Sequence, residues 1–228
     1  IYMEPIEIPK DKVILYSYFR SSASWRVRTV LNFKGIQYEY AATDLAKGEQ
    51  KTSEYERLNP MKKVPTLIID GQLFTESIPI MEYLDETRPE KRLYPSNPVL
   101  RQKVRAICEV INSGIQPLQT RSVTNKIEKD YGQDSKAFAI HFNLEGFKAL
   151  EQMLSKTAGK YCFGDEITAA DCVLLPQVYG SMLRFNIKLT EFPTLEKIVK
   201  NLLEVQAFKD ALPTAQPDCP EGEKNFVI

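Results

Sequence analysis

The segment Leu93-Tyr94-Pro95-Ser96-Asn97-Pro98 divides the chain into two parts that follow different periodicities. Two prolines in four positions read as an extended linker, residues 94–98, that ends in a helix start. Residues 12–93 before it mix strand and helix signals. Residues 99–217 after it carry helix signals and almost no strand signal. No single layer type accommodates both halves, so the spacing predicts an α+β domain followed by an all-α domain. With 228 residues, the chain is long enough for two cores.

In the first part, Val13-Ile14-Leu15-Tyr16-Ser17-Tyr18 reads as a short buried strand. A helix over about Ser24–Lys34 follows, with Val27, Val30 and Leu31 as its apolar stripe and Gly35 as its stop. Gln37–Ala41 is a second strand, giving a βαβ unit. The stretch Asp44–Leu58 has no clear period. Asp70-Gly71 between Pro65–Ile69 and Gln72–Phe74 is a two-residue hairpin signal. A helix over about Ser77–Thr87 ends at Arg88-Pro89. The order βαβ, a variable helix, then ββα is that of a thioredoxin-like domain.

In the second part, Leu100 through Leu118 keeps helical spacing, with Pro117 expected to kink the helix. Leu144–Leu154 and Leu195–Leu202 keep it again, and Thr168-Ala169-Ala170-Asp171 has the form of a helix N-terminal box.

Charge and composition narrow the function. Thirty basic residues balance thirty acidic ones, which argues against whole-protein nucleic-acid binding. Apolar runs reach four residues, so no segment reads as a membrane span. The opening residues 1–12, with Glu4, Glu7 and two prolines, lack the apolar run of a secretory signal. Four cysteines without CxxC spacing, beside one histidine, predict no metal cluster and a reducing, cytoplasmic setting. His141 reads as a surface or boundary residue.

Chemistry can sit at the first strand-to-helix turn. Helix N-termini expose unpaired N–H groups and a partial positive charge. Ser21, Ser22 and Ser24 there cap the helix, or Ser21 and Ser22 donate to a bound anion such as a thiolate. A thiol of pKa about 8.5 is about 3% ionised at neutral pH. Lowering that pKa by two units takes about 2.7 kcal/mol, within reach of a hydroxyl and one or two N–H groups. Val64-Pro65 is a strand-entry proline, or one that turns the Val64 backbone toward an extended ligand. Ser77 either caps its helix or, with Glu76, holds a ligand carboxylate and ammonium.

Taken in order, these segments resemble the glutathione transferase superfamily and, within it, the zeta class. The likeness runs from about Val13 to Pro217 and rests on four segments. They are Ser21-Ser22-Ala23-Ser24-Trp25-Arg26, Leu58–Leu67, Gly114–Gln119 and Gly164–Asp171. The resemblance implies the glutathione transferase fold and a cytoplasmic homodimer, with glutathione as cofactor. It implies that Ser21 and Ser22 are catalytic and, with Ala23, stand at the glutathione sulfur. Gln50 would meet the glycyl end, Val64 the cysteinyl backbone, and Glu76 and Ser77 the γ-glutamyl end. Gln116 and Thr120-Arg121-Ser122 would close the pocket, and Arg26 and Arg184 would hold the substrate.

The implied activity is cis–trans isomerisation of maleylacetoacetate-type keto acids in tyrosine and phenylalanine catabolism. Transfer to small α-haloacids would accompany it. Four residues, at three places, depart from the class pattern. Ala23 stands where the signature has cysteine, Glu76 where glutamine is common, and Thr120-Arg121 where Asn-Leu is usual. Ala23 motivates an alternative, a glutathione- or protein-binding module with little turnover. A thiol–disulfide oxidoreductase is a third reading, opposed by the lack of a cysteine at the first helix terminus.

Overall fold

A computed structural model describes residues 7–224. The expectation about a secretory signal therefore falls partly on residues 1–6, outside the described residues. The described residues divide into two units: 7–91 together with 206–224, and Arg92–Val205.

The first unit contains β1 (Ile14–Ser17), α1 (Ser22–Lys34), β2 (Glu39–Ala42), α2 (Ser53–Leu58), β3 (Thr66–Ile69), β4 (Gln72–Thr75) and α3 (Ser77–Thr87). Its sheet has the order β2-β1-β3-β4. β1 runs parallel to β2, with Ile14 opposite Glu39, and antiparallel to β3, with Leu15 opposite Leu67. The predicted hairpin joins β3 to β4, with Asp70 and Gly71 both at positive φ, 55° and 67°. That is the twist a two-residue connection needs. The stretch without a period is a 3-10 turn, Glu49–Lys51, followed by α2.

α1 differs from expectation in its burial. Every residue from Ser24 to Leu31 is buried, including Arg26 and Arg28. An amphipathic stripe describes a helix covered on one side. Here α3 covers one face and a short C-terminal helix, α9 (Gln206–Lys209), another. Phe208 and Ala211 are fully buried. The chain from Gln206 onward thus joins the first unit, whereas the sequence reading grouped it with the helical domain. Its apolar anchors pack on α1, which the sequence alone does not reveal. At the end of α1 the Nζ of Lys34 lies 2.8 Å from Asp85, a pair that is almost wholly buried.

The second unit contains α4 (Pro98–Glu109), α5 (Arg121–Tyr131), α6 (Ser135–Leu154), α7 (Ala169–Phe185) and α8 (Pro193–Leu202). Asn97 caps α4 by accepting from the N–H groups of Val99 and Leu100. The expected kink at Pro117 is a full interruption. Val110–Ile115 form a π turn, Gln116–Gln119 a 3-10 turn, and Thr120 is extended. Proline lacks an N–H and crowds the preceding turn, so the helix widens before it and restarts after it. The predicted box at α7 is present: Thr168 N–H donates to Asp171 at 2.8 Å, and Cys162 N–H donates to the other carboxylate oxygen.

Among the described residues no helix is long and apolar enough to cross a membrane. No group of His, Cys, Asp or Glu among them is placed to hold a metal ion. His141 is exposed.

Candidate active site

In the first unit, the turn between β1 and α1 places Ser21 at the N-cap, with extended backbone at φ −74° and ψ 112°. The Ser21 N–H donates to Tyr18 O at 2.9 Å, closing a turn over residues 18–21. Ser21 Oγ accepts from Ser24 N–H at 3.1 Å. The capping reading of Ser21 is therefore realised, and it is compatible with the other role. A hydroxyl that accepts still has a proton to donate. An α-helix leaves its first N–H groups without intrahelical partners. Here Ser24 N–H is taken by Ser21 Oγ, and Trp25 N–H makes the first intrahelical bond, to Ser21 O at 2.9 Å. The N–H groups of Ser22 and Ala23 remain at a half-buried helix terminus with its partial positive charge. A helix terminus of this kind can stabilise a small anion.

The peptide bond between Val64 and Pro65 is cis. The β3 ladder begins at Thr66, so Val64 lies just outside it. The loop before it is held from both sides of Lys63 O, which accepts from Tyr55 OH and from Asn59 Nδ2, each at 2.8 Å. Burial pushes the Tyr55 phenol up to about 12, so it stays a donor.

Glu76 precedes α3 at φ 68° and ψ 120°, a conformation that L residues rarely adopt. Such backbone costs about 1–3 kcal/mol and persists where surrounding structure imposes it. Ser77 beside it is 4% exposed, and its Oγ accepts from Arg26 Nη1 at 3.1 Å. Arg26 was expected to hold a substrate carboxylate. It is fully buried inside the first unit and spends a donor on Ser77. It orients that hydroxyl. Gln50 lies in the 3-10 turn, and its Oε1 is buried without a partner among the described residues.

In the second unit, the interrupted helix gathers the remaining candidates. Gln116 sits in the 3-10 turn. Thr120, at the restart, donates to Pro117 O at 2.8 Å and pairs with Ser122 Oγ at 3.1 Å. Arg121 and Ser122 are exposed. Arg184, at the end of α7, donates to Gln119 O at 2.6 Å and stands over the Phe185 ring. Thr124, Ser135, Lys136, Arg184 and Phe185 line a cavity of about 270 Å³.

Beneath it runs a buried polar network. Asn143 Nδ2 donates to Gln119 Oε1, Gln177 Nε2 donates to Asn143 Oδ1, and Ser181 Oγ donates to the same Oδ1. These residues fix the Gln119 carbonyl that Arg184 meets. The sequence reading missed them. The available signal was Gln177 and Ser181, one turn apart on an otherwise apolar helix.

The four cysteines are free and buried. Burial pushes the thiols of Cys162 and Cys219 up. None of the four stands at the α1 terminus, which removes support from the oxidoreductase reading.

Two family models match the chain: the N-terminal domain of glutathione S-transferases over residues 11–86, and the C-terminal domain over residues 120–211. Maleylacetoacetate isomerase of Mus musculus is 50% identical over 212 residues, covering 92% of this chain and 96% of its own. A maleyl pyruvate isomerase, a bacterial zeta-class glutathione S-transferase solved in its holo form, superposes with a TM-score of 0.88. It is 37% identical and covers 91% of this chain and 100% of its own. Maleylacetoacetate isomerase of Anaeromyxobacter dehalogenans, solved with glutathione in its active site, has a TM-score of 0.84. Its identity is 39%, over 92% of this chain and 98% of its own.

Proposed function

Because the chain belongs to the glutathione transferase family, and to its zeta class, we propose that it is a glutathione-dependent isomerase of conjugated keto acids. The substrate type is that of maleylacetoacetate, on which the isomerase relatives are named. The observation that carries this reading is the α1 terminus, where the Ser21 hydroxyl proton and the N–H groups of Ser22 and Ala23 stand together.

When bound, glutathione would supply the thiolate nucleophile for reversible addition to the cis double bond and would be regenerated. Ser21 Oγ donates to the sulfur and lowers the cost of its charge. Ser22 and Ala23 add backbone N–H groups at the same terminus. Val64 pairs with the cysteinyl backbone, and Ser77, oriented by Arg26, donates to the γ-glutamyl carboxylate while Glu76 meets the ammonium. The orphaned Gln50 Oε1 suits an amide N–H donor toward the glycyl end. In the helical unit, Arg184 takes a substrate carboxylate, with Gln116, Thr120, Arg121 and Ser122 setting polarity around the substrate.

The contribution of position 23 is a backbone N–H. Alanine supplies it as well as cysteine does, so the module without turnover is the weaker reading. The same thiolate displaces halide from small α-haloacids, a second activity of the proposed enzyme. Two copies of the chain pair in the cytoplasm, and sedimentation at micromolar concentration should give twice the 26.1 kDa subunit mass.

The test is isomerisation of a maleylacetoacetate analogue with and without glutathione across the neutral and mildly alkaline range. A rate that requires glutathione and regenerates it supports the proposal. Tight glutathione binding with no isomerisation at any pH favours the binding module.

Glu76→Gly separates strain from binding. Glycine relieves the positive φ but loses about as much in chain entropy, so stability changes by less than about 1 kcal/mol. Losing a charge-assisted contact costs about 1.5–3 kcal/mol, which is about a 10- to 100-fold rise in the glutathione dissociation constant. Calorimetry showing unchanged affinity would remove Glu76 from the site.

A further inference from the structure

We infer that Asp218 is a positioning residue for Ser21 and Ser22, and that the chain from Gln206 to Glu223 straps the turn carrying them to the first unit. The inference rests on the reading of Ser21 as the thiolate donor.

The turn is held by this C-terminal segment, directly and through Arg28 of α1. Phe19 N–H donates to Asp218 Oδ2 at 3.0 Å, and the other carboxylate oxygen accepts from Tyr40 OH at 2.7 Å. Phe19 O accepts from Arg28 Nη2 at 3.2 Å, and Tyr18 O from Arg28 Nη1 at 3.3 Å. The same guanidinium donates twice to Ala211 O, at 3.1 and 3.2 Å. Arg20 Nε donates to Glu223 at 3.1 Å. Both peptide groups around Phe19 are therefore tied, directly or through Arg28, to residues almost two hundred positions later.

The strap is itself rigid. Gln216 is 4% exposed, and its side-chain amide donates to Asp210 O and Leu212 O, each at 2.8 Å. Asn32 of α1 donates to Ala207 O. Tyr18 O also receives the Ser21 N–H, so a shift of the Phe19 peptide moves the N-cap with it. None of these groups belongs to the glutathione set, yet the aim of the Ser21 hydroxyl depends on them. Displacement of a catalytic group by about 1 Å costs about 100-fold in rate.

The experiment measures the pKa of bound glutathione by thiolate absorbance, together with kcat and KM for isomerisation, in Asp218→Ala, Asp218→Asn and Ser21→Ala. In Asp218→Ala, the bound thiol pKa should rise by about one unit. Its kcat/KM should fall about 10- to 100-fold, carried mainly by kcat. Asp218→Asn should restore most of both, since its amide accepts from Phe19 N–H and donates to the Tyr40 oxygen. A residue that only supported stability would lower the melting temperature and leave the thiol pKa of the folded enzyme unmoved.

An unchanged thiol pKa in Asp218→Ala, alongside a raised one in Ser21→Ala, overturns the strap and leaves the proposed function standing. An unchanged pKa in Ser21→Ala overturns the reading beneath it, and the inference with it. Should Asp218→Ala fail to fold, Asp218→Ser, whose short hydroxyl cannot serve both donors, carries the same two readouts.

Discussion

Ser21→Ala should lower kcat/KM for glutathione-dependent isomerisation by about 100- to 1,000-fold, the usual effect of deleting one preorganised donor from a developing or bound anion. The substitution removes two interactions at once. Ser21 Oγ accepts from Ser24 N–H, so its loss also uncaps α1. Uncapping costs about 1 kcal/mol of stability, too little to unfold the enzyme at moderate temperature. The catalytic loss comes from the hydroxyl proton. Without it, only the N–H groups of Ser22 and Ala23 remain near the sulfur, and the bound thiol pKa rises toward its solution value.

The two effects separate by measurement. Thermal melting reports the cap, and thiolate absorbance reports the donor. Ser21→Thr, which keeps both an acceptor and a donor, should recover much of each. Full activity in Ser21→Ala with a loss of melting temperature would reduce Ser21 to a cap.

Arg28→Met should destabilise the first unit by about 3–5 kcal/mol, the range seen when a buried charged network loses a member. Arg28 is fully buried and donates to Ala211 O, Tyr18 O, Phe19 O and Ser17 Oγ. Burial pushes its pKa down, while Tyr40, Tyr38 and Asp218 oppose that shift. Arginine remains protonated in such surroundings. Methionine fills much of the same volume and answers none of the acceptors. Each buried acceptor left unpaired costs about 1–3 kcal/mol.

The chain's one tryptophan, Trp25, is buried in α1, so its fluorescence follows unfolding of this unit in denaturant. A midpoint unchanged within error would show that the acceptors find other partners. The strap predicts a second consequence: below its unfolding transition, Arg28→Met should also raise the bound thiol pKa, because Phe19 O loses its tether.

Much of the first unit was legible because its signals are local. A run of β-branched and aromatic residues makes β1, and Gly35 stops α1 in the left-handed conformation at φ 72°. Asp70-Gly71 fits only a tight hairpin. Ser21 at the N-cap, Pro65 before β3 and Ser77 at the start of α3 are signalled by neighbours within a few positions. The zeta-class segments carried the chemistry for the same reason.

Long-range contacts were hidden. The resemblance implied that Arg26 holds the substrate. Its burial and its bond to Ser77, 51 positions away, appear only when α3 packs on α1. The interruption at Thr120 was read as a simple kink, since the sequence marks Pro117 but not how the π turn before it relaxes. Asn143, Gln119 and Gln177 come from three separate elements, and only Gln177, with Ser181 one turn on, carries a local signal.

The sequence by itself therefore determined the two-part layout, the strand and helix order, the hydroxyl-bearing terminus of α1 and the family. Each of these depends on short-range sterics, hydrogen bonding between near neighbours, and the change of periodicity at the linker. Tertiary structure alone decided how firmly that terminus is held. A carboxylate at Asp218 reaches the turn, and a carbonyl at Ala211 reaches Arg28, only after the chain folds back onto α1. A buried donor has no preference for near or far acceptors, only for geometry that satisfies it away from water.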